Sequence, residues 1–317
     1  MTEVLGPEGT VELAVLERSG MIESRHLGAA AVVDPDGSIV GAYGDVEALV
    51  YPRSTLKFLQ AIAVLRSGVE LDGAELVLAA ASHIATPRHV DVVRSILDRA
   101  GLTEDALQCP ADWPIDAASR RAADAPARIT MNCSGKHAAF LLACVTNGWP
   151  VESYLDPEHP LQVLIRDTVE DYTGEIIEHS GVDGCGAPVH AVTLYALARA
   201  VGRVSGATPG GDPEAARLAE AIRSNAWALD TVTVARLIDE LGLVAKNGAE
   251  GVFVAGTPDG TAVALKMLDG STRASIPVGL SLLDDRVDTA TATAIVDETT
   301  ERVLGAGVPV GVIRATV

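Results

Sequence analysis

The sequence is poor in aromatic residues, in cysteine and in positive charge, and each shortage narrows what the chain can be. Phe, Trp and Tyr make up 3% of its 317 residues while 48% are hydrophobic, so the core has to be built from Ala, Val, Leu and Ile. That is the composition of a globular chain rather than a disordered one, and at this length the core can be substantial. Four cysteines, Cys109, Cys133, Cys144 and Cys185, are too sparse for a disulfide framework, which leaves thiols or metal ligands. Twenty-four basic residues face 43 acidic ones, a formal net charge of −19 without a Lys/Arg cluster, and this opposes any polyanion, so nucleic acid is excluded as a partner. No stretch approaches the ~18 to 20 apolar residues of a membrane span, and "MTEVLGPEGTVELAV" has no basic start followed by an apolar run. The expectation is a soluble, cytoplasmic protein with no membrane partner.

Two segments read as β-hairpins. In "HLGAAAVVDPDGSIVGAYGD" the D-P-D-G tetrapeptide separates two strand-like runs, and in "GVFVAGTPDGTAVALKML" T-P-D-G does the same, which puts both in one antiparallel sheet. Between them the reading is helical, over 54–67, 88–100, 136–147, 160–173, 187–201, 213–226 and 231–240. The fold class expected is therefore α/β (α+β), an antiparallel sheet assembled from both chain ends with an inserted helical cluster. Residues 1–317 form a single catalytic domain of two packed lobes on this reading. The sheet takes about 10–50 and 245–317, and the mostly helical part takes about 51–244.

"STLKFLQAIAVLRSG" is apolar on nearly every face, which marks a buried helix, and Ser54, Lys57 and Gln60 form its main polar stripe. A buried ammonium is costly and tends to lose its proton or acquire a partner. A neutral amine beside a hydroxyl can take the hydroxyl proton during attack on a carbonyl. The plainer alternative is that Lys57 snorkels and Ser54 caps the helix. Four more stretches carry the same ambiguity. "VLAAASHIAT" sets Ser82 and His83 at the end of an apolar run, strand-like or helical, where a hydroxyl is usually a cap. "MNCSGKHAAFLLAC" puts Cys133, Lys136 and His137 where a loop enters a helix, and a helix amino terminus favours a thiolate. "SGVDGCGAP" encloses Cys185 in glycines that also suit an ordinary turn. "AVALKMLDG" sets Lys266 in an apolar strand, on a solvated face or in a functional one.

Taken in order, R-S-T-L-K (53–57), A-S-H (81–83), N-C-S-G-K-H (132–137), D-G-C (183–185) and L-K-M-L-D-G (265–270) resemble the zinc-containing L-asparaginases of the rhizobial (class 3, asparaginase II) family. The resemblance runs from about Gly20 to Gly270. It implies a serine β-lactamase-like and glutaminase-like fold and hydrolysis of L-asparagine to L-aspartate and ammonia. It implies two Ser-Lys pairs, Ser54 with Lys57 and Ser82 with Lys266, with Ser54 the favoured nucleophile. It further implies zinc held by Cys133, Lys136 and Cys185, with Arg53, His137 and Asp183 positioning substrate or its surroundings, and a homodimer. The chain departs from rhizobial members in being shorter toward its carboxyl end. It also carries Lys246-Asn247-Gly248, which is similar to the K-T-G of β-lactamase-like enzymes. Two rival readings follow: a glutaminase or penicillin-recognising serine hydrolase, which shares S-x-x-K, and a non-catalytic zinc-stabilised amino-acid-binding protein.

Overall fold

The computed structural model describes residues 3–317, so the first two residues of the amino-terminal stretch read above lie outside it. The strands are β1 Val11–Arg18, β2 Met21–Val33, β3 Ile39–Tyr43, β4 Leu49–Val50, β5 Ser180–Val182, β6 Pro188–His190, β7 Val192–Thr193, β8 Val244–Gly248, β9 Val252–Gly256, β10 Ala262–Met267, β11 Val303–Gly305 and β12 Val308–Ala315. The helices are α1 Lys57–Arg66, α2 Gly73–Ala80, α3 Pro87–Arg99, α4 Ala117–Ala122, α5 Ser134–Asn147, α6 Pro160–Thr173, α7 Leu194–Ser205, α8 Pro213–Ser224, α9 Val232–Leu241, α10 Ser275–Ser281 and α11 Thr289–Thr299. The chain divides into two compact units, one of Met1–Thr55, Ala191–Gly206 and Arg236–Val317, the other of Leu56–His190 and Ala207–Ala235.

The first unit is the sheet, an antiparallel array in the order β11-β12-β1-β2-β10-β9-β8 with β3 also paired to β2. Both expected hairpins are present, β2–β3 around D-P-D-G and β9–β10 around T-P-D-G, and they meet where β2 pairs with β10. In that ladder Lys266 lies opposite Ala29 and Met267 opposite Gly28. Helices α7 and α10 both pack on β9 and β10. This explains why β9 is buried at every residue instead of alternating. Gly279 of α10 makes the close approach possible, because a Cβ there would collide with the Phe253 ring.

The second unit is a helical cluster around α2, which packs against α1, α3, α5 and α8. Its eight residues read GAELVLAA, five of them buried at the end of the helix, a run too short for periodicity to tell strand from helix. Gly135, in the first turn of α5, lies directly on α2, where a Cβ would sit 2.6 Å from Leu78 O. Only glycine permits that contact, and it brings the start of α5 to the end of α2.

Three differences from the sequence reading have local causes. Residues 188–193 are short strands rather than the start of a helix. Pro188, Val189, Val192 and Thr193 disfavour helix there, and α7 begins at Leu194, capped by Thr193 Oγ1 accepting from Ala196 N–H at 3.0 Å. Ser54 precedes α1 on a 3-10 turn, Arg53–Leu56, in which Arg53 has a φ of +52° and Thr55 Oγ1 donates to Pro52 O at 2.8 Å. Helices α10 and α11 were not expected, since one is short and contains Pro277 and Gly279 and the other opens TATATA, rich in β-branched residues. Among the described residues no helix is long and apolar enough to cross a membrane.

Candidate functional site

Four stretches picked out in the sequence meet inside the helical unit. Helix α1 is buried from Lys57 to Leu65, so the Lys57 side chain is 1% exposed. Its Nζ donates to Ala81 O at 2.7 Å, to Ser82 Oγ at 2.9 Å and to Cys133 Sγ at 3.0 Å. Ala81 and Ser82 leave the end of α2, and Cys133 is the residue before α5, so the close Gly135–Leu78 approach lies beside both segments. Ser82 is half-buried, and its own N–H is held by Leu229 O at 2.8 Å.

A second lysine faces a second thiol. Lys136 Nζ donates to Cys185 Sγ at 3.2 Å, with both side chains 1% exposed. Cys185 comes from the turn of the β5–β6 hairpin, closed by Asp183 N–H to Ala187 O at 2.9 Å and Gly186 N–H to Asp183 O at 2.8 Å, with Gly186 at φ +89°. The glycines therefore do serve an ordinary turn, and that turn presents the thiol. Asp183, half-buried on the same turn, adds its charge to the field at Lys136.

The Cys133 thiol donates to Asn132 Oδ1 at 3.1 Å, and Cys133 and Cys185 act on each other's proton affinity. The hydrogen bond from Cys133 holds the Cys185 thiol well below the ordinary range, against burial and with help from Lys136 and His137. The same bond, followed by burial, pushes Cys133 up. Burial works against the Lys136 ammonium, but the charges of Cys185, Cys133 and Asp183 outweigh it and its proton affinity rises.

His137 is completely buried, and its Nδ1 lies 2.7 Å from Tyr154 Oη, which itself accepts the Gln108 N–H at 2.9 Å. Nδ1 and Tyr154 Oη thus share a hydrogen bond, and Cys185 acts on the ring through a further side-chain hydrogen bond. Burial lowers the His137 pKa, so the ring is neutral. Tyr154 was not found in the sequence, and nothing in a lone Tyr 17 residues past His137 would have flagged it. His83 belongs to the framework: Nδ1 accepts from Ala85 N–H at 3.1 Å, Nε2 bonds Ser134 Oγ at 2.8 Å, and that hydroxyl donates to Ile129 O at 2.7 Å.

Among the described residues no three His, Cys, Asp or Glu side chains are grouped as metal ligands. What the region offers instead is two thiols and an amine. An edge between a thiolate and an amine on tetrahedral zinc is about 3.5 Å, from Zn–S of about 2.3 Å and Zn–N of about 2.0 Å. The Lys136–Cys185 distance of 3.2 Å is close to that edge. Buried sulfur and nitrogen donors suit a soft cation, so the chemistry of Cys133, Lys136 and Cys185 fits zinc.

The remaining expected residues lie in the sheet unit. Arg53 and Ser54 are half-buried on the 3-10 turn, and Gly248 of β8 packs on that turn, where a Cβ would meet Pro52 O at 2.9 Å. Lys266 is half-buried on β10; its Nζ donates to Met267 O at 2.8 Å and also bonds Glu250 O.

A family model described as L-asparaginase II matches residues 14–315. Comparison with proteins of curated function gives no match. Among solved structures the chain is similar to Mglu in its native form, at 13% identity over 81% of this chain and 63% of that one, TM-score 0.47. It is also similar to a Bacillus glutaminase in 4.3 M NaCl, at 12% identity over 81% of this chain and 90% of that one, TM-score 0.45. A β-lactamase from Mycobacterium bovis shares 16% identity over 86% of this chain and 95% of its own, TM-score 0.44. The chain thus spans less than two thirds of the length of Mglu.

Proposed function

The chain belongs to the L-asparaginase II family, and from that premise we propose that it is an amidohydrolase that converts L-asparagine to L-aspartate and ammonia through a serine acyl-enzyme. The observation that carries the chemistry is Lys57 Nζ, 2.9 Å from Ser82 Oγ at the head of a buried helix. Lys57 takes a serine proton as the oxygen attacks the side-chain amide carbon, and returns it to the departing nitrogen, which leaves as ammonia. Backbone N–H groups near the start of a helix stabilise the oxyanion, and water then releases aspartate.

Ser54 is the proposed acylated residue on the strength of the family motif R-S-T-L-K. A second reading, with Ser82 acylated, is favoured by its hydrogen bond to Lys57. Lys266, whose proton affinity is lowered by burial, is the proposed second amine. Arg53, His137 and Asp183 are the proposed positioning groups. His137, being neutral, would act by hydrogen bonding rather than by charge. Cys133, Lys136 and Cys185 are the proposed zinc ligands, and zinc bound there would act as a Lewis acid that anchors and orients the substrate. A lysine ligand must give up its proton, so binding should weaken in acid. A homodimer is the proposed assembly.

Incubation with an electrophilic asparagine analogue, followed by peptide mass spectrometry, tests the acyl-enzyme: the adduct is expected on Ser54, an adduct on Ser82 supports the second reading, and modification of neither serine overturns both. Asparagine, glutamine and a chromogenic β-lactam assayed side by side separate the rival enzymes. A binding protein would bind asparagine and release no ammonia.

A further inference from the structure

Helix α3 grips a turn far along the chain with two consecutive residues of its first turn. Arg88 lays its guanidinium over the Trp227 ring, 3.4 Å from the centroid, and His89 Nε2 lies 3.0 Å from Trp227 O. The imidazole can serve that carbonyl only as a donor, and its other nitrogen shows that it does. Thr86 N–H donates to His89 Nδ1 at 3.3 Å and Thr86 Oγ1 lies 2.6 Å from the same atom, so Nδ1 is the acceptor and the ring proton sits on Nε2. The ring is 3% exposed, and burial, the largest influence on it, lowers its proton affinity, so it is neutral. Trp227 belongs to the 3-10 turn Ala226–Ala228, closed by Leu229 N–H to Ala226 O at 3.2 Å. Leu229 O in turn accepts the Ser82 N–H at 2.8 Å. A second route runs through the ring face: His89 stacks on His83, with centroids 5.5 Å and planes 18° apart, and His83 N–H donates to Asn132 O at 3.1 Å. Between His83 and Thr86 the chain has little slack. Ala85 is held at φ +59°, a left-handed conformation that a non-glycine residue keeps only where its surroundings impose it.

We propose that His89 is a positioning residue for the reaction: by fixing the Ala226–Ala228 turn on one side and the His83 ring on the other, it holds the Ala81–Ser82 segment where Lys57 meets it. Lys57 Nζ donates to both Ala81 O and Ser82 Oγ, so the inference rests on the reading of Lys57 as the base and holds whichever serine is acylated. Loss of the Nε2–H bond frees the turn, and Leu229 O, the acceptor of the Ser82 N–H, moves with it. His89 acts through the backbone while other groups bind the substrate, so its removal should lower kcat and leave KM near the parental value.

Amide hydrogen exchange of the full chain, followed by NMR, and steady-state kinetics with asparagine test this. His89→Leu keeps most of the volume and removes the donor: the Ser82 N–H should exchange about 10-fold faster and kcat should fall about 10-fold, with KM little changed. His89→Gln, whose amide N–H can still donate to Trp227 O, should keep both near the parental values, a rescue that a merely space-filling role would not give. In the parent, the 15N spectrum of the imidazole should show the proton on Nε2; a proton on Nδ1 overturns the proposal even if neither variant folds. Parental exchange at Ser82 in His89→Leu overturns it as well, as does a His89→Gln as slow as His89→Leu. If exchange rises while kcat stays parental, Lys57→Met decides between two failures: lost turnover there overturns the positioning role of His89, and parental turnover there overturns the reading of Lys57 on which it rests.

Discussion

Replacing Gly135 with alanine tests whether the α2–α5 contact sets the site. The new Cβ would lie 2.6 Å from Leu78 O and 3.0 Å from Leu78 Cβ and Cδ1. Comfortable packing needs more than about 3.3 Å, so α2 and α5 must part by roughly 0.7 Å. Alanine in a helix interior is favoured over glycine by about 0.5–1 kcal/mol, whereas overpacking a core costs about 1–3 kcal/mol. The net expectation is a loss of about 1–2 kcal/mol, or a Tm lower by several degrees. The effect on turnover should be larger than the effect on stability. Separation of these helices lengthens Lys57–Ser82 and Lys57–Cys133, now 2.9 and 3.0 Å, and misplacement near 1 Å can cost about 100-fold in rate. Leu142→Ala, two turns along α5 and buried, should lose about 2–4 kcal/mol while turnover falls little. Urea denaturation and kcat/KM for asparagine, measured on both variants, decide the matter. Gly135→Ala with parental stability and turnover, or with turnover no lower than that of Leu142→Ala, would refute the reasoning.

Three further expectations are simpler to check. Burial pushes the His190 imidazole down to about 4, below the ordinary value of 6.5; stability is therefore full above about pH 6.5 and is lost as pH falls toward 4, by up to about 3 kcal/mol. Urea midpoints against pH should show that slope and should flatten in His190→Gln, and an equal slope in both would contradict it. Protein loaded with zinc at neutral pH and dialysed should retain one metal per chain by elemental analysis and lose it below the neutral range, and Cys133→Ser or Cys185→Ser should retain none; stoichiometric zinc in either variant would rule out the ligand set. Ser54→Ala and Ser82→Ala should each lower asparagine turnover at least about 100-fold, and parental turnover in both would exclude a serine acyl-enzyme.

Much of the fold was legible because turn chemistry and periodicity agree with it. D-P-D-G and T-P-D-G announce hairpins whose outer runs alternate or are fully apolar, and α6 occupies residues 160–173, the range its period predicts. What was not legible was local structure decided by distant packing. The apolar run of α2 suits either a strand or a helix until α1, α3, α5 and α8 surround it. Lys57, Ser82, Cys133, Lys136 and Cys185 were each in a short, contiguous motif, and the family resemblance set them in one site, but it paired Lys57 with Ser54, and the bond from Lys57 to Ser82 shows only in three dimensions. His137–Tyr154 and His26–Asp269 could not be read from motifs, the second pair being 243 residues apart with no local pattern in common. Asp269 stood in the quoted L-K-M-L-D-G, yet only the three-dimensional arrangement shows what its carboxylate touches.

The central claim is that Lys57 serves a serine in amide hydrolysis, and ammonia release from L-asparagine by the zinc-loaded parent and by Lys57→Met tests it most directly. The account predicts ammonia and aspartate in equal amounts from the parent and a rate at least about 100-fold lower from Lys57→Met, with the variant folded by circular dichroism. No ammonia from the zinc-loaded parent, or a folded Lys57→Met that keeps the parental rate, would contradict it.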